Sequence, residues 1–275
     1  GPLYLTKGIL VILLTASLAW SQQVTLSGQF SLTGQRSTSP YTILYSTDFE
    51  SEEADLVPTW DYNLDVVNAT RQSTIKHAGT YAGQFHFIAA ADDNLWVSKL
   101  ISPAVYHVFM RGYLYMKTPE GGLDTVIIQR KLTWVSDATS ADGSGDTHAT
   151  LLNSYTGTGG SPTPTQIYLM VLGQGAACYG GQATAYDIAI LSWNTWYSLE
   201  IELQTNTPSA SPPYDGIVRV WVDGVQVLNR TDFKVNGNCS TPFQFFSIGR
   251  QLSQGQSEEY RYWDDVKVST GYIGP

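Results

Sequence analysis

Charge is scarce in this chain of 275 residues. Asp, Glu, Lys and Arg make up 14% of it, 24 acidic against 15 basic, for a net charge of −9. Hydrophobic residues reach 43%, and that balance excludes a disordered polyelectrolyte. No run of Lys and Arg occurs, which excludes the basic stripe that nucleic-acid binding needs. Long helical periodicity is missing, as are a phosphate loop, a zinc-ligand spacing and a Ser/His/Asp arrangement with a local signature. The histidines, His77, His86, His107 and His148, are scattered, and each by itself reads as structural. Only two cysteines are present, Cys178 and Cys239.

Against these absences stand 25 glycines, 8 tryptophans, 17 tyrosines and 9 phenylalanines, a usage suited to many strands joined by turns. Residues 1–22 carry the three-part pattern of a secretory signal: Lys7, the apolar Gly8–Leu14, then small residues at Ala19 and Ser21. The alternatives are a retained anchor or a buried strand. Export places the two cysteines in an oxidising compartment, where Cys178 and Cys239 pair or else remain separate thiols. Asn68, Asn229 and Asn238 head N-glycosylation triplets. No membrane association is expected once the signal is removed.

Period-two alternation broken by Gly, Pro, Asn and Asp predicts strands over Ile43–Phe49, Thr80–Ile88, Ala104–Lys117, Asp124–Val135, Gln166–Gly173, Gln182–Leu191, Trp196–Gln204, Ile217–Val222, Phe243–Ile248 and Glu259–Ser269. So many strands in one length of chain imply two stacked antiparallel sheets, an all-β sandwich. Residues 23–40 stand apart, with Val24, Leu26, Phe30 and Leu32 on one parity of a strand that runs into a Ser/Thr/Gly/Pro linker. That strand either extends its own sheet or is donated through residues 23–34 to another copy. The main domain spans 41–275.

Three passages carry a resemblance: Leu44–Glu50 with Ala78–Phe85; Asn194–Glu200 with Val220-Trp221-Val222-Asp223-Gly224; and Tyr262-Trp263-Asp264-Asp265-Val266. Together the chain resembles the secreted concanavalin A-like jelly-roll proteins, a superfamily of lectins, glucanases and polysaccharide lyases. The resemblance implies a two-sheet antiparallel jelly roll, an extracellular location and a glycan partner. It also implies that first and last strands are neighbours, which would bring Asp48 or Glu50 near Asp264 or Asp265. Clustered carboxylates repel unless protons or a cation intervene, so either a structural Ca²⁺ or ordinary solvated strand ends is expected there.

Parity sorts side chains onto faces. Along Ala104–Lys117, Tyr106, Val108, Met110, Leu114 and Met116 read as core, leaving His107, Phe109, Arg111, Tyr113, Tyr115 and Lys117 opposite. Gln84 and His86, Arg219 and Trp221, and Glu200 and Glu202 fall on matching outer faces of their strands. The strand Asp124–Val135 offers Gln129 and Lys131, or else Arg130. In the closing strand Tyr262, Val266 and Val268 read as one face and Arg261, Trp263, Asp265 and Lys267 as the other. Gathered on one concave sheet, Gln84, Arg111, Tyr113, Tyr115, Gln129, Lys131, Arg219 and Trp221 make a carbohydrate groove in which rings cover pyranose faces and polar groups fix hydroxyls. A lyase on this fold would use His86, Tyr113, Tyr115 and Arg111, although the motif strings of its alginate lyases are absent. Glycoside hydrolysis needs two spaced carboxylates; Glu200 and Glu202 share a face without the glucanase pattern. A structural fibre subunit is the remaining reading.

Overall fold

The computed structural model describes residues 41–51, 60–64, 68–88, 92–120, 128–136, 149–156, 166–174, 185–208, 213–233, 235, 241–249, 251–253 and 258–275. The signal pattern, the 23–40 segment, His148, Cys178, Cys239 and Asn238 lie outside them, and the side chain of Gln129 does too. Among the described residues there is no α-helix.

Among the described residues period-two alternation becomes seventeen strands: Ile43–Thr47 (β1), Tyr62–Leu64 (β2), Ala69–Gln72 (β3), Ala82–Phe87 (β4), Asp92–Asn94 (β5), Trp96–Val105 (β6), His107–Met116 (β7), Ile128–Ser136 (β8), Ala149–Thr156 (β9), Gln166–Gln174 (β10), Ala185–Ser192 (β11), Trp196–Gln204 (β12), Gly216–Val222 (β13), Val225–Phe233 (β14), Phe243–Ile248 (β15), Gln251–Ser253 (β16) and Glu259–Ser269 (β17). One sheet runs β14-β13-β12-β7-β17-β4-β3, with β1 added beside β17. The other runs β11-β10-β9-β8-β15-β6-β2, with β16 and β5 attached. Every strand pairing among the described residues is antiparallel. This is the expected two-sheet jelly roll, and its first and last strands are neighbours through Thr47↔Val266.

One apolar cluster fills the space between the sheets. It takes Phe85, Met110, Leu114, Ile201 and Val220 from the eight-stranded sheet, and Val97, Leu132, Val135, Phe246 and Ile248 from the nine-stranded one. A fully buried Phe such as Phe85 contributes about 1.5–3 kcal/mol through removal from water. Gly112 falls on the core side of β7, where an added Cβ would lie 2.9 Å from the Trp263 indole. The missing side chain is the space that Trp263 fills. Asp223 and Gly224, at φ 49° and 77°, form the two-residue hairpin turn between paired Val222 and Val225, as the sequence pair implies.

Three sequence expectations change, the first being Tyr106, read as core and found exposed. The stretch expected as one strand over Ala104–Lys117 is two, β6 ending at Val105 and β7 beginning at His107. The closing strand does not keep one parity, because its register against β7 shifts between Asp264 and Lys267. Asp265 is the extra residue, held at φ 47°, a left-handed conformation that Asp tolerates better than most. The bulge swaps faces. Arg261 and Trp263 join Val266 and Val268 on the buried side, while Tyr262 and Asp264 turn outward, paired with Tyr115 and Tyr113.

Candidate functional site

The outer face of the eight-stranded sheet is built in rows that its register fixes. One row runs Thr70, Gln84, Tyr262, Tyr115, Trp196 across β3, β4, β17, β7 and β12. Below it lie Asp264, Tyr113 and Ser198; then Lys267, Arg111, Glu200 and Trp221; then Ser269, Phe109, Glu202 and Arg219. Arg111, Tyr113, Tyr115, Arg219, Trp221, Gln84 and His86 therefore share one face, as parity indicated. Lys131 and Gln129 do not join them: they belong to β8 of the other sheet, and Arg130 is fully buried.

The upper end of this face is aromatic and charged. His86 stacks on Tyr260 at 4.3 Å and 3°, and its Nε2 lies 3.3 Å from Glu258 Oε2. Lys117 Nζ stands 5.0 Å over the Tyr260 ring and pairs with Glu120 at 2.5 Å. Tyr115 meets Tyr262 edge-on at 5.8 Å and Trp196 at 5.4 Å. Burial pushes the Tyr262 phenol up to about 12 and raises Tyr260 as well. Both hydroxyls are held protonated at neutral pH, as hydrogen-bond donors rather than bases.

The middle is covered by the loop between β3 and β4. Asp264 Oδ2 accepts from the His77 and Ala78 amides at 3.0 and 3.1 Å, and its Oδ1 accepts from Asp265 N–H. Desolvation raises the Asp264 carboxyl against these stabilising amides. So anchored, the His77 ring lies flat on Tyr113 at 3.5 Å and meets Trp196 edge-on at 5.8 Å. His77 Nδ1 is also 3.5 Å from Asp265 Oδ2.

The lower end is covered by the residues after β17. Ile273 N–H donates to Glu200 Oε1 at 2.7 Å and Gly274 N–H to Oε2 at 2.9 Å. The Tyr272 ring lies 5.0 Å from that of Trp221. Under this crossing segment Glu200 is buried, and desolvation pushes its carboxyl up to about 7 against the two amides and Arg111. Glu202, one position further on the same face, goes the other way. His107 Nε2 at 2.9 Å and Arg219 Nη1 at 2.8 Å offset its burial and hold it below the usual range. Arg219 also donates to Asn229 at 2.8 Å.

The four residues assigned to a lyase are not gathered at one point. His86 belongs to the upper end and Arg111 to the lower, three side-chain rows or ~20 Å along the strands. The carboxylates considered for Ca²⁺ also divide. Glu50 Oε1 accepts the Thr80 and Tyr81 amides at 2.7 and 2.9 Å, and Asp264 holds the loop, whereas Asp48 and Asp265 line a hollow of about 360 Å³ with Tyr45, Ser46, Thr47, Ser51 and Lys267. Among the described residues no group of three or more His, Cys, Asp or Glu is arranged to hold a metal ion.

Trp196, Tyr260, Tyr262 and His77 are the site residues that sequence reasoning left aside; Lys117 was placed on this face by parity but not in the groove. Trp196 was legible from the parity of Tyr197, Leu199 and Ile201; Tyr262 was hidden by the Asp265 bulge; His77 reaches the face only through the loop that Asp264 anchors.

No protein-family model matches the sequence, and no curated protein matches it in sequence. Solved structures do match in fold. An endo-β-1,4-glucuronan lyase from the fungus Trichoderma reesei superposes with a TM-score of 0.59 at 14% identity, covering 84% of this chain and 96% of the lyase. The alginate lyase Aly36B gives 0.53 at 10% identity, over 75% and 84% of the two chains. The cellulose-induced protein Cip1 gives 0.51 at 12% identity, over 84% and 99%. The likeness is one of architecture, and it shows that this chain has the two-sheet jelly-roll fold of these proteins.

Proposed function

We propose that this chain is a secreted protein that binds a polysaccharide along the outer face of its eight-stranded sheet, at the upper end between His86 and Trp196. The observation that carries the reading is the row Gln84–Tyr262–Tyr115–Trp196, capped by the stacked pair His86 and Tyr260. The half-buried rings of Tyr115, Trp196 and Tyr260, set on the buried Tyr262, offer apolar surface to pyranose faces, and Gln84 and Lys117 offer donors to sugar oxygens. The names of the fold neighbours, two lyases of acidic polysaccharides and a cellulose-induced protein, agree with a glycan partner and with an extracellular place of work.

Depletion onto an insoluble polysaccharide panel tests it. The native chain should be retained on at least one acidic or β-1,4-linked polysaccharide, and Trp196→Ala should be released roughly tenfold more readily. Equal retention of both, or retention of neither, contradicts the reading.

Catalysis by β-elimination is a second reading, favoured by one contact. Glu258 holds His86 beside Tyr260, which orients an imidazole toward a sugar bound on this row. The same panel incubated in solution would develop the ultraviolet absorbance of unsaturated uronate. Its absence alongside binding leaves a non-catalytic module.

A further inference from the structure

Among the described residues the eight-stranded sheet ends at β14. This border strand carries Asn229-Arg230-Thr231, a triplet that the binding row leaves unused. Period two puts Asn229 and Thr231 on one side of β14 and Arg230 on the other. The register fixes which side. Asn229 pairs with Arg219 of the outer face, and Arg230 with Val218 of the core. The acceptor amide and the hydroxyl two residues on are therefore presented outward together, and both residues are exposed.

The Asn229 amide is also oriented. Buried Glu202 accepts from Arg219 Nη1 through both carboxylate oxygens, at 2.8 and 2.9 Å. Arg219 Nε then donates to Asn229 Oδ1 at 2.8 Å. With Oδ1 engaged, Nδ2 is turned away from Arg219, and among the described residues it has no hydrogen-bond partner. An N-linked sugar replaces one Nδ2 hydrogen and leaves Oδ1 an acceptor, so the series Glu202–Arg219–Asn229 survives the modification. Asn68 differs. It is half-buried and already engaged, and the hydroxyl of its triplet, Thr70 Oγ1, accepts from Gln84 Nε2 at 3.4 Å.

We propose that Asn229, rather than Asn68, is the N-glycosylated residue of the described sandwich, and that its glycan covers the lower end of the outer face while the upper row stays open. The proposal rests on the secretion part of the function proposed above. The donor is a polyprenyl-diphosphate-linked oligosaccharide, and the catalyst is the oligosaccharyltransferase of a secretory membrane. Asn229 Nδ2 forms a bond to the anomeric carbon, the bond from that carbon to the diphosphate oxygen breaks, and the polyprenyl diphosphate leaves with the electron pair. One amide proton passes to a base of the transferase, and nothing is oxidised or reduced. A bulky hydrophilic group at this border lies beside Arg219, Glu202 and Phe109, which follow Asn229 across the sheet. The row holding Tyr115 and Trp196 is three side-chain rows away, ~20 Å along the strands.

The full chain would be expressed in a eukaryotic secretory host, once with residues 1–22 as its leader and once behind the host's own leader. N-glycans are removed enzymatically in heavy-oxygen water, and peptide mass spectrometry reads the occupancy of each asparagine. Asn229 should be occupied in most molecules and Asn68 in few. Thr231→Ala keeps the Asn229–Arg219 contact and should lose the glycan, and Thr231→Ser should restore it. The native and Thr231→Ala proteins should be retained equally on the polysaccharide panel. An empty Asn229 in folded protein made behind the host's leader overturns the proposal, as does equal occupancy at Asn68. Stronger retention of Thr231→Ala overturns the claim that the glycan leaves the upper row open. Occupancy of Asn229 only behind the host's leader upholds the site and overturns secretion by residues 1–22. Occupancy without any retention upholds the site and overturns polysaccharide binding.

Discussion

Glu259 Oε2 accepts from Arg130 Nε at 2.5 Å, and both side chains are sealed between the two sheets. Arg261 completes the triad, donating to Glu259 Oε1 at 2.7 Å and to the carbonyls of Gly249 and Lys131. Its guanidinium also lies 3.9 Å over the Phe87 ring. One carboxylate thus holds together strands β17 and β8 of opposite sheets. Burial opposes ionisation of Glu259, but the two arginines outweigh it and hold the carboxyl below its usual range.

Glu259→Gln leaves two buried cations without their counter-charge. The expected loss is about 3–5 kcal/mol of stability, read as a lower urea midpoint, or as failure to accumulate folded protein. The pH dependence has a definite sign. A carboxyl depressed in the folded state contributes stability above its unfolded range, and that contribution is lost as pH falls through the folded value. Acid unfolding of the native chain should therefore be steeper than that of Glu259→Gln.

Gly112→Ala places a methyl group 2.9 Å from the Trp263 indole and 3.3 Å from Val266, both fully or almost fully buried. Overpacking of this kind costs about 1–3 kcal/mol. The thermal midpoint should drop while retention on polysaccharide at a permissive temperature stays unchanged.

Glu200 gives the opposite pH signature to Glu259. Its carboxyl is pushed up to about 7 from an ordinary 4.5, so between those values the native chain keeps a proton that the unfolded chain has released. Stability from this residue is greatest below pH 4.5 and falls as pH rises through 7. Glu200→Gln has no proton to lose. Its stability relative to the native chain should improve from pH 5 to pH 8, by at most on the order of 3 kcal/mol, on denaturant curves taken at each pH. A difference that is flat with pH contradicts the burial assigned to Glu200.

Much of the site was legible before the fold was known, and the parts that were not share a cause. Alternation along His107–Met116 separated Met110 and Leu114 from Arg111, Tyr113 and Tyr115, because a strand with one dry face leaves that record residue by residue. Tyr262 was lost because a single inserted residue, Asp265, reverses the parity, and only the pairing with β7 reveals the insertion. Gln129 and Lys131 were grouped with Arg111 because parity says which face a side chain takes and nothing about which sheet its strand joins. His77 and Tyr272 come from segments without alternation. Their positions depend on what Asp264 and Glu200 hold by hydrogen bonds, contacts distant in sequence. The proposed glycan-binding row accordingly lies nearer the His86 end of the face than the groove that parity alone assembled.

The upper row bears the central claim, and a side-chain footprint on it is the most direct measurement. Tryptophan indole and histidine ring signals of the native chain would be followed by NMR as tetraglucuronate and then cellotetraose are added. The account predicts that Trp196 and His86 shift together and saturably with at least one of these sugars, and that Trp60 and Trp263, buried in the core, do not. Saturable binding that leaves Trp196 and His86 unmoved, or no binding by either sugar or by any polysaccharide of the panel, would contradict it.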